Sequence, residues 1–203
     1  MEDGIHPHAA NAGSLLRRCV SIDLEIDPKT NRLQCFAAVR QDQDESFVFK
    51  RGNLAEALEA LDRFSEVAEF VLGHNFIAFD ARHLEAAKRD LRLLKKPIID
   101  TLWLNPLAFP RNPYHHLVKH YQDGRLQAGH VNDPELDAKI VLNVLSNQIE
   151  ALSDIDHADP ETTRAYHSLT TTHHDHAGFD EVFQLVRGAN RPGPAEAQTA
   201  IRG

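Results

Sequence analysis

The chain has 203 residues and a formal charge of -8, from 22 Lys and Arg against 30 Asp and Glu, with 13 histidines counted as neutral. Hydrophobic residues at 42% and charged residues at 26% exclude a disordered or collagen-like chain. The acidic balance also excludes a protein that holds nucleic acid by bulk charge alone.

No apolar run approaches the roughly 18 residues of a membrane span, so no membrane partner is expected. The opening MEDGIHPHAANAG lacks the charged-then-apolar pattern of a secretory signal. Cys19 and Cys35 cannot build a multi-bridge framework, which makes a reducing cytoplasm the expected compartment.

In chain order, residues 1–18 are small, polar and His-containing, and are expected to form a flexible leader. From Cys19 to Ile26, Val20, Ile22, Leu24 and Ile26 alternate with Cys19, Ser21, Asp23 and Glu25, the period of a strand. Asp27 to Asn31 has turn chemistry. Leu33–Arg40 and Ser46–Lys50 then complete an antiparallel meander. Asn53 is placed to cap a helix over Leu54–Phe64. Phe70–Leu72 predicts a short strand, Asp80–Leu94 a helix and Pro97–Asp100 a further strand. Pro106, Pro110 and Pro113 are expected to break up the next stretch of chain. Asp133-Pro134 opens a helix carrying Leu136, Ile140, Val141, Val144, Leu145 and Ile149. A mixed α/β domain over residues 19–152 results. A helical extension over 153–188 carries Phe179, Val182, Phe183 and Val186 as a stripe stopped by Gly188. Residues 189–203 are Gly-, Pro- and Ala-rich and read as a linker, which is the composition expected where a chain continues into a further region.

The sharpest chemical feature is Asp23-Leu24-Glu25. Residues i and i+2 share a strand face, so two carboxylates sit about 7 Å apart along one strand. In a half-buried sheet such a pair is unfavourable unless cations neutralise it. The same alternation also fits the solvent face of an amphipathic strand. Asp80 follows the Gly73-His74-Asn75 strand end, where a carboxylate also serves as a helix cap, and Asp137 lies among apolar neighbours on the closing helix. Four acids from one strand and two helices form a hard-oxygen cage suited to Mg²⁺ or Mn²⁺.

Asp23-Leu24-Glu25, His74-Asn75-x-x-x-Phe79-Asp80 and Asp137-Ala138 resemble, in order and context, the three motifs of the DEDD, or DnaQ-like, 3′–5′ exonucleases. The resemblance implies a ribonuclease-H-like α/β fold: a mixed five-stranded sheet with its first three strands antiparallel, flanked by helices. It implies a two-metal phosphodiester hydrolase acting at nucleic-acid 3′ ends, with single-stranded DNA the preferred substrate. Asp23 would bridge both Mg²⁺ or Mn²⁺ ions, Glu25 and Asp137 would ligate the one that carries the attacking water, and Asp80 would serve the second. Asn75 and Phe79 match positions that support the site or touch the terminal nucleotide. Ile99-Asp100-Thr101-Leu102 with Asn112-Pro113-Tyr114-His115-His116-Leu117-Val118-Lys119 is similar to the version at the N-terminus of some bacterial RecQ-family helicases, which implies a helicase region C-terminal in the same chain. Tyr114, His115 and Lys119 are the substrate-binding candidates of that stretch.

One element departs from the family. Its general base is a Tyr four residues before the last Asp or a His five before it, and those places hold Asp133 and Asn132. Asn accepts no proton at neutral pH. His130, two residues upstream, is the candidate replacement. General-base assistance is worth about 10²–10⁴-fold, so a weakly active or inactive module serving nucleic-acid binding or protein interaction is the competing expectation.

Other constellations carry less. His173-His174-Asp175-His176 and the helical pair His116 and His120 lack the cysteines or the Glu of zinc motifs. There is no Gly-rich phosphate loop and no Gly-x-Ser-x-Gly. Charge, finally, is uneven: residues 81–125 hold nine Lys and Arg against four acids, a local +5, while the remainder sums to -13. Local positive charge thus admits a strand end to an otherwise acidic protein.

Overall fold

A computed structural model describes residues 7–112, 121–122, 125–126, 133–170 and 176–202. Strands β1 (Cys19–Asp27), β2 (Arg32–Arg40) and β3 (Glu45–Phe49) form the expected antiparallel meander. The first turn is held by the Asp27 carboxylate, which accepts from the Lys29 amide and the Thr30 hydroxyl, both at 2.9 Å. Asn31 and Asp44 take the left-handed backbone at the two turns (φ 54° and 51°), a conformation their short polar side chains tolerate. Helix α2 (Leu54–Phe64) starts where predicted, with the Asn53 side chain accepting from the amides of Ala55 and Glu56. The chain returns as β4 (Phe70–Gly73), parallel to β1, and then as β5 (Ile98–Asp100), parallel to β4. The strand order β3-β2-β1-β4-β5 gives a mixed five-stranded sheet flanked by helices, the α/β arrangement of ribonuclease-H-like folds.

Strand alternation divides the interior into two cores. Val20, Ile22, Leu24, Phe36 and Ala38 face α2 and Leu84, Leu91 and Leu93. Cys19, Val39, Leu72 and Ile99 face the opposite way, toward the long helix α5 (Pro134–Ala158) and its neighbours. Asp133 caps α5 by accepting from the Glu135 amide, with Pro134 in the first turn as expected. Two-residue strands β6 (Tyr121–Gln122) and β7 (Arg125–Leu126) pair antiparallel. No helix of the described residues is long and apolar enough to cross a membrane.

Four segments differ from expectation. Within the supposed flexible leader, Pro7–Arg17 forms α1, with Ala12, Leu15 and Leu16 buried against the second core. The single helix expected over Asp80–Leu94 is broken: a π-helical turn (Phe76–Asp80) leads into α3 (Ala81–Ala87), and a 3₁₀ turn follows at Arg92–Lys95. Leu91 and Leu93 are both buried, an i, i+2 spacing that a helix cannot turn to one side, and Asp62 captures the Leu93 amide at 2.9 Å. Pro106 does not interrupt its segment but lies inside α4 (Thr101–Ala108). There the buried Gln148 of α5 donates to Thr101 O and Asn105 Oδ1 and fastens the short helix in place. The tail expected to be a linker contains α8 (Pro194–Arg202), with Ala197 buried.

The extension over 153–188 is part of the body of the fold. α6 (Pro160–Thr170) and α7 (Gly178–Arg187) follow the end of α5, and Phe179, Val182, Phe183 and Val186 join the same core as Leu16, Ile99 and Leu145. Gly178 lies so close to β5 that a Cβ there would overlap the Ile98 carbonyl. Gly188 ends α7 in the left-handed conformation, φ 61°.

Candidate metal centre

The polar face of β1 does not meet water along its whole length. Cys19 and Ser21 are fully covered; the Cys19 thiol donates to Leu15 O and the Ser21 hydroxyl donates to Ala138 O at 2.8 Å. That last bond ties β1 to the first turns of α5, one residue from Asp137. Because α5 is anchored there, Asp137 comes down over the same face as Asp23 and Glu25. Carboxylate oxygens of the three lie within 4.8 Å of one another, Asp137 buried and the other two half-buried.

Two further details shape this cluster. The residues opposite Asp23 and Glu25 on β2 are Ala37 and Cys35, both small, and the ladder shifts register between Glu25 and Ile26. A shift of this kind re-aims side chains and recurs beside active sites. Small neighbours leave the volume above the carboxylates to the carboxylates themselves.

Asp80 comes from the end of the Phe76–Asp80 turn. It is 4% exposed and lies beside Asp23, outside the set of three mutually close carboxylates. Burial and then the Asp23 charge push its carboxyl well above the ordinary value, against the pull of the amides of Asp80 itself and Leu24. A group so placed is ionised only at a cost unless positive charge is brought to it.

The turn that delivers Asp80 is built by a residue that sequence reading places within the Ile99–Leu102 stretch without giving it a role. Asp100 at the end of β5 is fully buried and accepts from the amides of Asn75 (2.9 Å), Ile77 (3.0 Å) and Leu102 (3.0 Å). It therefore holds both ends of the π-helical turn's entry, where Asn75 is left-handed (φ 66°), and caps α4. Burial raises its pKa while these amides lower it. A cap signature at Asp100 requires a helix after β5, which the expected break at Pro106 hid. Beside it, the Thr101 hydroxyl donates to Gly73 O at 3.1 Å, so the 2.9 Å contact to His74 is one in which His74 Nδ1–H donates to Thr101.

Of the remaining sequence candidates, Phe79 is 41% exposed next to Asp80, its ring edge-on to His83 at 4.7 Å between centroids. His130, Asn132, Tyr114, His115 and Lys119 lie outside the described residues, as do His116, His120 and His173 to Asp175. The free thiols of Cys19 and Cys35 are not opposed, since Cys35 pairs with Glu25.

An all-oxygen donor set of this kind suits a hard divalent cation. Oxygens of Asp23, Glu25 and Asp137 within 4.8 Å of one another could hold one such ion between them. No protein-family model matches the chain, and no curated protein matches it significantly.

Proposed function

We propose that the chain is a divalent-metal-dependent 3′–5′ exonuclease of the DEDD type that hydrolyses phosphodiester bonds at nucleic-acid 3′ ends, with single-stranded DNA as the preferred substrate. The observation that carries this reading is the convergence of Asp23, Glu25 and Asp137 from β1 and α5, with buried Asp80 near enough to feel the Asp23 charge. Two carboxylates on one strand face and two more buried beside them make little sense as structural groups, because nothing in a folded core favours packing like charges together.

Glu25 and Asp137 would hold one Mg²⁺ or Mn²⁺, Asp80 would serve a second, and Asp23, which neighbours both groups, would be shared. Such ions supply Lewis-acid stabilisation of the entering and leaving oxygens of an in-line displacement. The protein's own part is orientation. Ser21 fixes α5 on β1, Asp100 fixes the Asp80 turn, and exposed Phe79 offers a ring face to the terminal nucleotide. His130 is the proposed proton acceptor on sequence grounds, and a C-terminal helicase region and a cytoplasmic setting are proposals of the same standing.

Asn132, at the family's base position, favours a second reading, a nucleic-acid or protein-binding module with little turnover. One assay separates them: a 5′-labelled single-stranded oligonucleotide incubated with Mg²⁺ or Mn²⁺ and either wild type or Asp23→Ala. A ladder of shortened products from wild type only is expected. No ladder with either metal at high enzyme defeats the exonuclease reading, and equal ladders from both proteins assign the activity to a contaminant.

A further inference from the structure

Between α3, the 3₁₀ turn and β5 lies a cleft of about 410 Å³, within the roughly 300–1,000 Å³ of ligand sites. Its floor is aliphatic, formed by Ile77, Leu94 and Ile98, and its rim carries Arg82, Arg89 and Lys95 against one acid, Glu85. In a chain of charge -8, three cations around one apolar hollow are a local reversal of sign.

What these cations do not do is informative. Neighbouring Lys88 bridges to Glu59 and Asp90, Arg92 to Asp62 and Glu66, and Lys96 donates to the carbonyls of Glu66 and Ala68. Among the described residues no ion pair joins Arg82, Arg89 or Lys95 to a carboxylate. All three are exposed. One set of basic residues in this segment staples the fold, and the other is turned to the hollow.

The cleft adjoins the carboxylates through the chain itself. Ile77 belongs to the turn that Asp100 pins, and Ala81, also lining the cleft, directly follows Asp80. The carboxylates face α5, the cleft opens on the α3 side, and the Phe76–Asp80 turn connects the two around the end of β4.

We propose that this cleft is a docking groove for single-stranded DNA, taking the segment upstream of a 3′ end held at the carboxylates. Phosphates match the rim, since single strands bind mainly by backbone charge. An aliphatic floor accepts an unstacked base, which a duplex keeps hidden. The substrate assignment rests on the nuclease reading above, and the test is chosen to be independent of turnover.

Fluorescence anisotropy with a 5′-fluorescein oligo(dT) of about 20 nucleotides, in EDTA across a NaCl series, measures binding without hydrolysis. Wild type binds, and Arg89→Glu/Lys95→Glu loses at least tenfold in affinity with a shallower salt dependence, by about 0.7 in slope for each phosphate contact removed. Arg17→Glu, a reversal of an exposed charge at the other end of β1, changes affinity by less than twofold. Thermal melts confirm that each variant is folded. Unchanged affinity in the double variant overturns the groove even if wild type degrades DNA. Loss of affinity supports it even if no ladder forms. Tighter binding of a duplex, or of the matching RNA by more than tenfold, overturns the single-stranded DNA assignment.

Discussion

One face of β1 carries four polar side chains at regular spacing, and its two halves have opposite fates. Cys19 and Ser21 are sealed under α1 and α5 with their hydrogens donated to main-chain carbonyls. Asp23 and Glu25, further along the same face, are half-buried and share their space with Asp137. The difference is chemical as much as positional. A hydroxyl or thiol needs one acceptor, which a neighbouring helix supplies, whereas a carboxylate buried beside other carboxylates needs cations. Anchoring by the first half is what gathers the second half with α5, because the Ser21 bond to Ala138 sets where Asp137 falls.

The comparison breaks most visibly at α5. Under the proposed exonuclease function, Asp137→Asn is expected to lower turnover by about 10²–10³-fold, the usual scale for removing one electrostatic group at a reacting centre, while its melting temperature without metal stays at or above that of wild type. A nuclease assay with a parallel thermal melt reads both. If turnover survives, the two halves of the strand do not differ in kind.

Asp80→Asn tests the same contrast through stability. Its carboxyl is held above the ordinary value by burial and then by Asp23, so this group lowers the stability of the metal-free protein as pH rises above the usual carboxylate range, and below that range it does not. The amide should therefore raise the metal-free melting temperature at pH 7.5, by about 2–4 °C per kcal/mol of relieved repulsion, and narrow the gap in stability between pH 7.5 and 5. Added Mn²⁺ should stabilise the variant less than wild type. A lowered melting temperature would mean that Asp80 is a structural group like Ser21.

Ser21→Ala should behave in the opposite sense. Loss of one buried hydrogen bond costs about 1 kcal/mol, or about 2–4 °C for a chain of this size, with metal dependence of activity retained. Collapse of activity without loss of stability would move Ser21 into the site.

The smallest effect is expected at a buried polar group far along the chain. His167 is fully enclosed, stacked on Phe183, with Nε2 at 2.7 Å from Asp180 and Nδ1 at 2.7 Å from Arg187. Arg187 only donates, so Nδ1 accepts and the ring is neutral, with Nε2–H donating to Asp180. Burial lowers its pKa. Its contribution is thus present above about pH 6.5 and is lost as pH falls through the depressed folded value. His167→Gln should flatten the fall in melting temperature between pH 7 and 5 without altering metal response; an unchanged pH profile would show that protonation of this ring is not felt by the fold.

Local signals proved sufficient where the physics is local. α2 runs from Leu54 to Phe64 as predicted because Asn53 and the Leu54, Leu58, Leu61 spacing are both written within one segment. The antiparallel meander of the first three strands followed from alternation, whereas the five-stranded mixed sheet was what the family resemblance implied. Of the four acids expected together, Asp23, Glu25 and Asp137 cluster and Asp80 lies outside the three. Elsewhere partners decided. Leu15 and Leu16 form too short a stripe to announce a helix, and α1 is fixed by packing against α5 and α7. The break before Arg92 depends on Asp62, some thirty residues away in sequence, and Pro106 is carried inside α4 with Gln148 fastening the helix. Asp100 was legible only as part of the Ile99–Leu102 stretch; its cap role needed a helix that Pro106 argued against, and its clamp on Asn75 and Ile77 exists only once β4 and β5 are parallel neighbours.

The contact between Gly178 and the Ile98 carbonyl has a consequence for behaviour in solution. β5 is the outermost strand on its side of the sheet, and an outermost strand offers its main chain as a template for another molecule. The missing side chain at Gly178 lets α7 lie directly on that border and shield it. Gly178→Ala would lever α7 outward, and light scattering at raised concentration should then report self-association of a protein that is otherwise guarded there. The glycine is thus a safeguard of the single molecule, set at the opposite flank of the sheet from β3.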